Sequence, residues 1–488
     1  MVLKIAYTVL TAILPSKYYT HVVLVILGLL TIYTYAQGRK TNRERDLHGR
    51  TILITGAFTP LGLTLLDSLA QRGAHIIALS PDLVDLPEGN SIVTSASLLI
   101  PVLRSTTNNE NIYAEHCDLS SPASIRAFCV NFLKGEEKRL DAIIFAHEYP
   151  HIGSVLPTKP ARNAEKERQA ASCATFLLIT LLLPALLTAP VERDIRLIAL
   201  INPFYAAAAP SFSTSVVSSS ETPTSPSPAQ SALFLTEGHR ALCTTILMRH
   251  LQRVLDALPT GAQLPRADTN SQSVPVVNDK VQRSNIVAVS VSPGVSRADI
   301  IAPLLGADTS RKGVSLRGML LYFIMNPLLR IFTKSSFSAI QGVLHTLFLP
   351  TPFKHLAASA PGEPGENHNE EEVLKPGALY TECAVAKLHV PPAPAAPEND
   401  SDHSPSSTGK DNVGGEAEEA GSNRRRADDG DLGGEALGTL VWDEYERELK
   451  KWEAQELEEQ KEMKQEEDKR EKSRDGRHTP PTVDTPSE

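Results

Sequence analysis

The places where this chain could do chemistry are a glycine-punctuated turn and a few polar side chains near strand ends. The run TILITGAFTPLG (51–62) ends an apolar, β-branched strand in a turn marked by Gly56 and Gly62. Such a strand, turn and helix start can cradle a phosphate, because the first amides of a helix are unpaired and its dipole favours an anion. Pro60 complicates that turn. It brings no N–H and fixes φ at about −65°, although a first helical turn accepts it well. Farther on, His147 and Glu148 in AHEY (146–149), together with Tyr205 and His239, supply two imidazoles, a carboxylate and a phenol. Gathered in one place they could take and return a substrate proton.

The elements that must gather them can be read from periodicity. After TILIT come a helical pattern LGLTLLDSLAQRG, the strand HIIALS, a short strand in IYAEHCDLSS and the helix PASIRAFCVNFLKG. LDAIIFAH, the apolar helix ASCATFLLITLLLPALL, IRLIALI, GHRALCTTILMRHLQRVLDAL and SNIVAVSVSPG continue the alternation. Continuous apolar strands separated by helices predict an α/β fold, a doubly wound parallel sheet with helices on both faces. Ligands of such sheets bind beyond the carboxyl ends of the strands, at the switch point.

Over residues 50–350 this order resembles the short-chain dehydrogenase/reductase superfamily, which has a Rossmann-like fold. Thr55, Gly56 and Gly62 match the outer positions of its TGxxxGxG turn, and Asp118-Leu119 matches its adenine-contacting pair. FLLITLLLPALL matches the helix before the catalytic strand, and VSPG, with Pro293 and Gly294, matches the turn that approaches the nicotinamide. The resemblance implies NAD or NADP held by these seven residues. Ser80 stands where an acid usually grips the ribose, Asp82 comes two residues later, and no basic residue favours a 2′-phosphate.

The same resemblance implies a catalytic tyrosine, a lysine four residues on, a serine and an asparagine. Aligned on LTEGHRAL, the tyrosine and lysine positions carry Leu235 and His239. The serine position falls on Asn202 and the asparagine position on Ala171. The low-complexity run SSSETPTSPSP (218–228) accounts for the long gap between Asn202 and Leu235. Leucine exchanges no proton, and histidine, with a reference pKa of about 6.5, is no permanent cation. Ordinary tyrosine-dependent hydride transfer is not expected. Two readings follow: a non-catalytic module binding a dinucleotide, a lipid or a protein, or an oxidoreductase of lipophilic substrates with an unconventional acid/base drawn from Tyr205, His147, Glu148 and His239. A scaffold working through an acidic tail is compatible with the first.

YYTHVVLVILGLLTIYTYA (18–36) is apolar over a length that just crosses a hydrocarbon core, with tyrosines at both ends. Arg39, Lys40, Arg43 and Arg45 follow. The positive-inside rule then predicts a single-pass anchor with a cytosolic domain, at the endoplasmic reticulum or the mitochondrial outer membrane. A cleaved signal peptide is the rival, but the run is long for one and no A-x-A site precedes the basic cluster. With the degenerate motifs and the segments GALYTECAVAKL and LGTLVWDEYERELKKWE, the anchor resembles a fungal family of membrane-anchored, dehydrogenase-like proteins. That resemblance supplies no substrate.

The expected organisation is an anchor and basic flank (1–46) and a dehydrogenase-like domain (47–360) with inserts at 206–230 and 259–283 and an apolar lid at 306–334. A mostly disordered linker (361–439) with a short ordered stretch at 377–390 follows, then a charged amphipathic helix (440–475) and a disordered tail (476–488). Residues 1–360 carry a net +8 and residues 361–488 a net −17, which together give −9. The acidic part cannot bury enough apolar area to fold by itself. The lid run GMLLYFIMNPLLRIF (318–332), interrupted by Pro327, points to a lipophilic ligand or a second contact with the bilayer. Trp442, Tyr445, Leu449 and Trp452 form one stripe that either docks on the domain or binds a protein partner, docking being favoured. Five scattered cysteines show no metal spacing and fit a reducing compartment. RRR (424–426) is too short to suggest nucleic acid.

Overall fold

The computed structural model describes residues 18–82, 95–135, 139–155, 161–190, 193–221, 233–258, 284–307, 315–352, 372–392 and 430–475. The insert at 259–283, residues 222–230 of the other insert, most of the linker with RRR at 424–426, and the tail 476–488 lie outside the described residues.

An exposed apolar helix α1 (Tyr19–Gln37) precedes the alternating part. That part runs β1 (Thr51–Thr55), α2 (Pro60–Ala70), β2 (His75–Ser80), α3 (Ser95–Thr107), β3 (Ile112–His116), α4 (Pro122–Lys134) and β4 (Ala142–Phe145). It continues α5 (Ala161–Leu187), β5 (Ile195–Leu200), α6 (Phe212–Glu221), α7 (Leu233–Ala257), β6 (Ile286–Ser292), α8 (Leu316–Phe332) and α9 (Gln341–Phe348). Two short strands, β7 (Leu379–Thr381) and β8 (Ala384–Val385), and a long helix α10 (Gly434–Asp475) close it.

The strands form one sheet in the order β3-β2-β1-β4-β5-β6-β7-β8, parallel except for β8. Every residue of β1, β4, β5 and β6 is buried, as a sheet covered on both faces requires. Side chains alternate between the two layers. Ile52 and Ile54 join the core under α2 and α9, whereas Leu53 joins the core under α4, α5 and α7. The order reverses between β1 and β4, which sets the switch point of a doubly wound, Rossmann-like sheet there.

Several elements depart from the sequence expectation. The insert is helical up to Glu221, and Phe212 is fully buried in it. α3, between the strands HIIALS and IYAEH, is a helix with Pro101 inside it. It is pinned by Arg104, whose guanidinium donates to Ile112 O and lies 5.1 Å over the Tyr113 ring. α5 starts ten residues before its apolar run, and α9 has no clear sequence signal, whereas β7 and β8 lie in the stretch 377–390 expected to be ordered. The stripe of α10 packs on α5 and α7: Trp442 meets Phe176 edge-on at 4.9 Å, and Tyr445 stacks on it at 5.4 Å.

The amino edge of the sheet is welded by charge. Asp194 accepts from Arg196 at 2.8 Å and from Arg45 at 3.1 Å, and Arg196 also donates to Thr346 O and Leu349 O. Burial alone would raise the Asp194 carboxyl, but Arg196 and Arg45 hold it at about 2. Asp141 accepts from Thr51 N and from Arg139 on the same edge.

Candidate functional site

At the switch point the turn after β1 is built as a phosphate cradle would be. Gly56 has φ +66°, and a Cβ there would meet the His147 backbone at 2.8 Å. A Cβ on Gly62 would meet Gly56 O at 2.2 Å, so α2 starts hard against the turn. Thr59 caps α2 by accepting from Gly62 N, and Pro60 takes the first helical position.

The donors at the start of α2 are already engaged. Thr59 N donates to Gly56 O and Leu63 N to Thr59 O. Leu61 N donates to Asp299 Oδ1 at 2.9 Å, from the segment after β6. Ser296 Oγ holds the other carboxylate oxygen of Asp299 at 2.7 Å. The chain thus supplies its own anion to the helix start. A pyrophosphate would need those same amides and would meet the negative charge of Asp299. The sheet and the Gly56 turn have the frame of an NAD(P)-binding fold, but the residues as arranged do not fit a bound pyrophosphate.

The nicotinamide side is filled as well. Tyr149 is fully buried, donates to Gly294 O at 2.7 Å and accepts from Ser296 N at 3.2 Å. Burial, with the Asp299 carboxylate second, pushes its phenol well above the usual tyrosine range. Lys334 donates to Pro293 O at 2.9 Å and pairs with Glu382. A phenol and an ammonium therefore flank one bend, where Gly294 has φ +90°. The phenol is spent on backbone, and the ammonium is divided between the Pro293 carbonyl and the Glu382 carboxylate.

The residues singled out in the sequence are placed as follows. Thr55 Oγ1 lies 2.7 Å from His147 Nδ1, and His147 Nε2 faces Ala171 O at 2.9 Å. A carbonyl only accepts, so Nε2 carries the proton and Nδ1 accepts from Thr55. Burial keeps the His147 pKa below its ordinary value. Ala171 therefore contributes its carbonyl to this site. Glu148 accepts from Thr175 and from Thr244 Oγ1, and Thr244 meets Tyr445 OH at 3.3 Å. Asn202 donates to Glu237 O and accepts from Phe204 N, tying β5 to α7. Asp118 accepts from the amide and hydroxyl of Ser120 in the turn before α4, and Leu119 packs on the core.

The expectation that Tyr205, His239, His147 and Glu148 form one acid/base group is corrected. His147 and Glu148 sit together and share Thr175. His239 lies on another face of α7, its ring 4.7 Å from Phe212 and its Nδ1 3.5 Å from Cys243 Sγ, with its pKa lowered to about 4 by burial. Tyr205 is raised by burial and bonds to Thr381. His239 thus faces Phe212 and Cys243, whereas His147 and Glu148 are held by Thr55, Ala171, Thr175 and Thr244.

Leu235 and His239 instead line a cavity of about 250 Å³ between α5, α6, α7 and α10. Glu237, Arg168 and Arg240 stand in its wall, with Glu237 paired to both arginines at 3.1 and 2.7 Å. No residue of the Gly56 turn or the Gly294 bend lines it. Among the described residues no group of three His, Cys, Asp or Glu could hold a metal. Sequence reasoning missed Asp299, Tyr149, Lys334 and Glu237. For Asp299 the signal was Ser296-x-x-Asp299, a helix-start pattern.

No family model matches the chain. It is 27% identical over 190 residues to an uncharacterized oxidoreductase of Schizosaccharomyces pombe, a match covering 37% of this chain and 46% of that protein. It is 30% identical over 181 residues to an uncharacterized oxidoreductase of Saccharomyces cerevisiae, covering 36% and 42%. Human retinol dehydrogenase 11 is 35% identical over 99 residues, covering 20% and 28%. The match thus spans less than half the length of these relatives. Among solved structures, an NADPH-bound short-chain oxidoreductase of Pseudomonas aeruginosa with an atypical catalytic centre aligns with a TM-score of 0.36 and 12% identity, covering 62% of this chain and 90% of that one. The oxidoreductase relatives and the strand order agree with the resemblance carried by the sequence.

Proposed function

We propose that this short-chain-dehydrogenase-like chain is a membrane-tethered, non-catalytic binding module. The observation that carries the reading is the pair of bonds Asp299–Leu61 and Tyr149–Gly294, by which the chain fills its own dinucleotide crevice. The loss of a proton-exchanging group at Leu235 and the placement of His239 against Phe212 support it. The tether is α1, which is long and apolar enough to cross a membrane and has no buried residue. The basic run after it favours a cytosolic domain, on the endoplasmic reticulum or the mitochondrial outer membrane. A second apolar stretch, Glu165–Leu187, passes the same length test but is mostly buried in the fold. A dinucleotide that binds must displace Asp299, and the other ligand class is a lipophilic molecule.

A second reading is an NAD(P)-dependent oxidoreductase of lipophilic substrates. The observation favouring it is that Tyr149 and Lys334 flank the Gly294 bend, so that opening the bend would free a phenol beside an ammonium. The test uses the full chain in phospholipid nanodiscs with NADH or NADPH and retinaldehyde, a substrate class suggested by the retinol dehydrogenase relatives. The module predicts no turnover. Turnover that disappears in Tyr149→Phe would overturn it in favour of the enzyme.

A further inference from the structure

The apolar surface of α8 is unexplained by any role in the crevice. Only Gly318 and Leu329 of this helix are buried. Leu316, Leu320, Phe323, Ile324, Leu328 and Phe332 are exposed, Phe323 to 75%. They recur every three or four residues and so form one continuous face. Soluble surfaces seldom carry an apolar patch of that extent.

The neighbour of α8 indicates what covers it. α1 packs beside α8. The two are pinned at their carboxyl ends by Gln37, which donates to Thr333 O at 3.1 Å and accepts from Ser338 Oγ at 2.8 Å. Just after α1, Lys40 sits 5.9 Å over the ring of exposed Phe337. The level at which α1 leaves its membrane is thus the level at which α8 ends. Exposed Arg317 and Arg330 stand on α8 itself, where anionic headgroups would meet them.

We propose that α8 is a second membrane element, with its apolar face sunk in the leaflet that α1 leaves. Its 17 residues reach only about 26 Å and contain Pro327, which is short for a span. They suit a helix lying in the interface, whose apolar face enters to a depth of about 5–10 Å. The Gly294 bend is joined to Lys334, two residues past α8, so an apolar ligand would approach the crevice from the lipid side. The proposal rests on α1 being the anchor.

The test is the full chain in nanodiscs of phosphatidylcholine and phosphatidylserine, with and without brominated acyl chains. Leu27→Trp reports on α1 and Phe323→Trp on α8, each read against the unmodified chain with Trp442 and Trp452. Both added emissions are expected to fall by about half in brominated lipid, as for groups at acyl depth. Quenching at Leu27→Trp alone overturns the placement of α8 and leaves the anchor standing. Quenching at Phe323→Trp alone overturns the anchor and, with it, the placement of α8 in the leaflet that α1 leaves. Quenching at neither overturns both.

Discussion

At the amino edge of the sheet, Arg196 and Asp194 meet as a buried ion pair shared with Arg45 and two carbonyls. At the carboxyl edge, Asp299 and Tyr149 bond instead to the backbone of a turn and a bend. The first is charge against charge with every lone pair answered, as an interior demands. The second puts single polar groups on amides and carbonyls that a ligand could also use. One edge holds strands and loops together. The other covers a crevice that the topology would leave open, and covers it with groups that can be displaced.

The sharpest way to break this contrast is Arg196→Ala. It leaves the buried Asp194 carboxylate with Arg45 as its remaining ion-pair partner, and should lower stability by about 3–5 kcal/mol in denaturant unfolding. A smaller loss would mean that the weld is ornamental. Tyr149→Phe removes the donor to Gly294 O and strands Ser296 N, so it should cost about 1–3 kcal/mol in the same assay. Asp299→Ala removes a helix cap and should cost about 1 kcal/mol. It should also gain a thermal shift with NADPH that the unmodified chain lacks. An equal shift in both would show that the carboxylate obstructs nothing.

A separate effect is on pH. His239 has its pKa lowered from 6.5 to about 4. The unfolded chain therefore takes up a proton as pH falls through 6.5, and the folded chain only near 4. The contribution is full above 6.5 and drains away between those values. Melting temperature should fall across that window, and less steeply in His239→Phe.

The sheet was legible because β1, β4, β5 and β6 are mostly apolar, β-branched runs of strand length. The docking of α10 was legible because Trp442, Tyr445, Leu449 and Trp452 keep helical spacing. The crevice filling was not, since Asp299 reaches Leu61 across 238 positions of chain and reads locally as a helix start. Tyr149 was nearer to hand: it stands in AHEY, where the resembling family carries NNAG. Pro60 drew attention to the right turn for an incomplete reason, because the decisive occupant is a carboxylate arriving from β6's far side.

The seating of α10 bears on biogenesis. Phe176 is covered by Trp442 and Tyr445, which the ribosome makes long after the sheet strands β1 to β8. Until α10 emerges, a nascent chain would show an uncovered aromatic patch. Chaperone holding, or a truncation that stops short of residue 434, should act on that patch first.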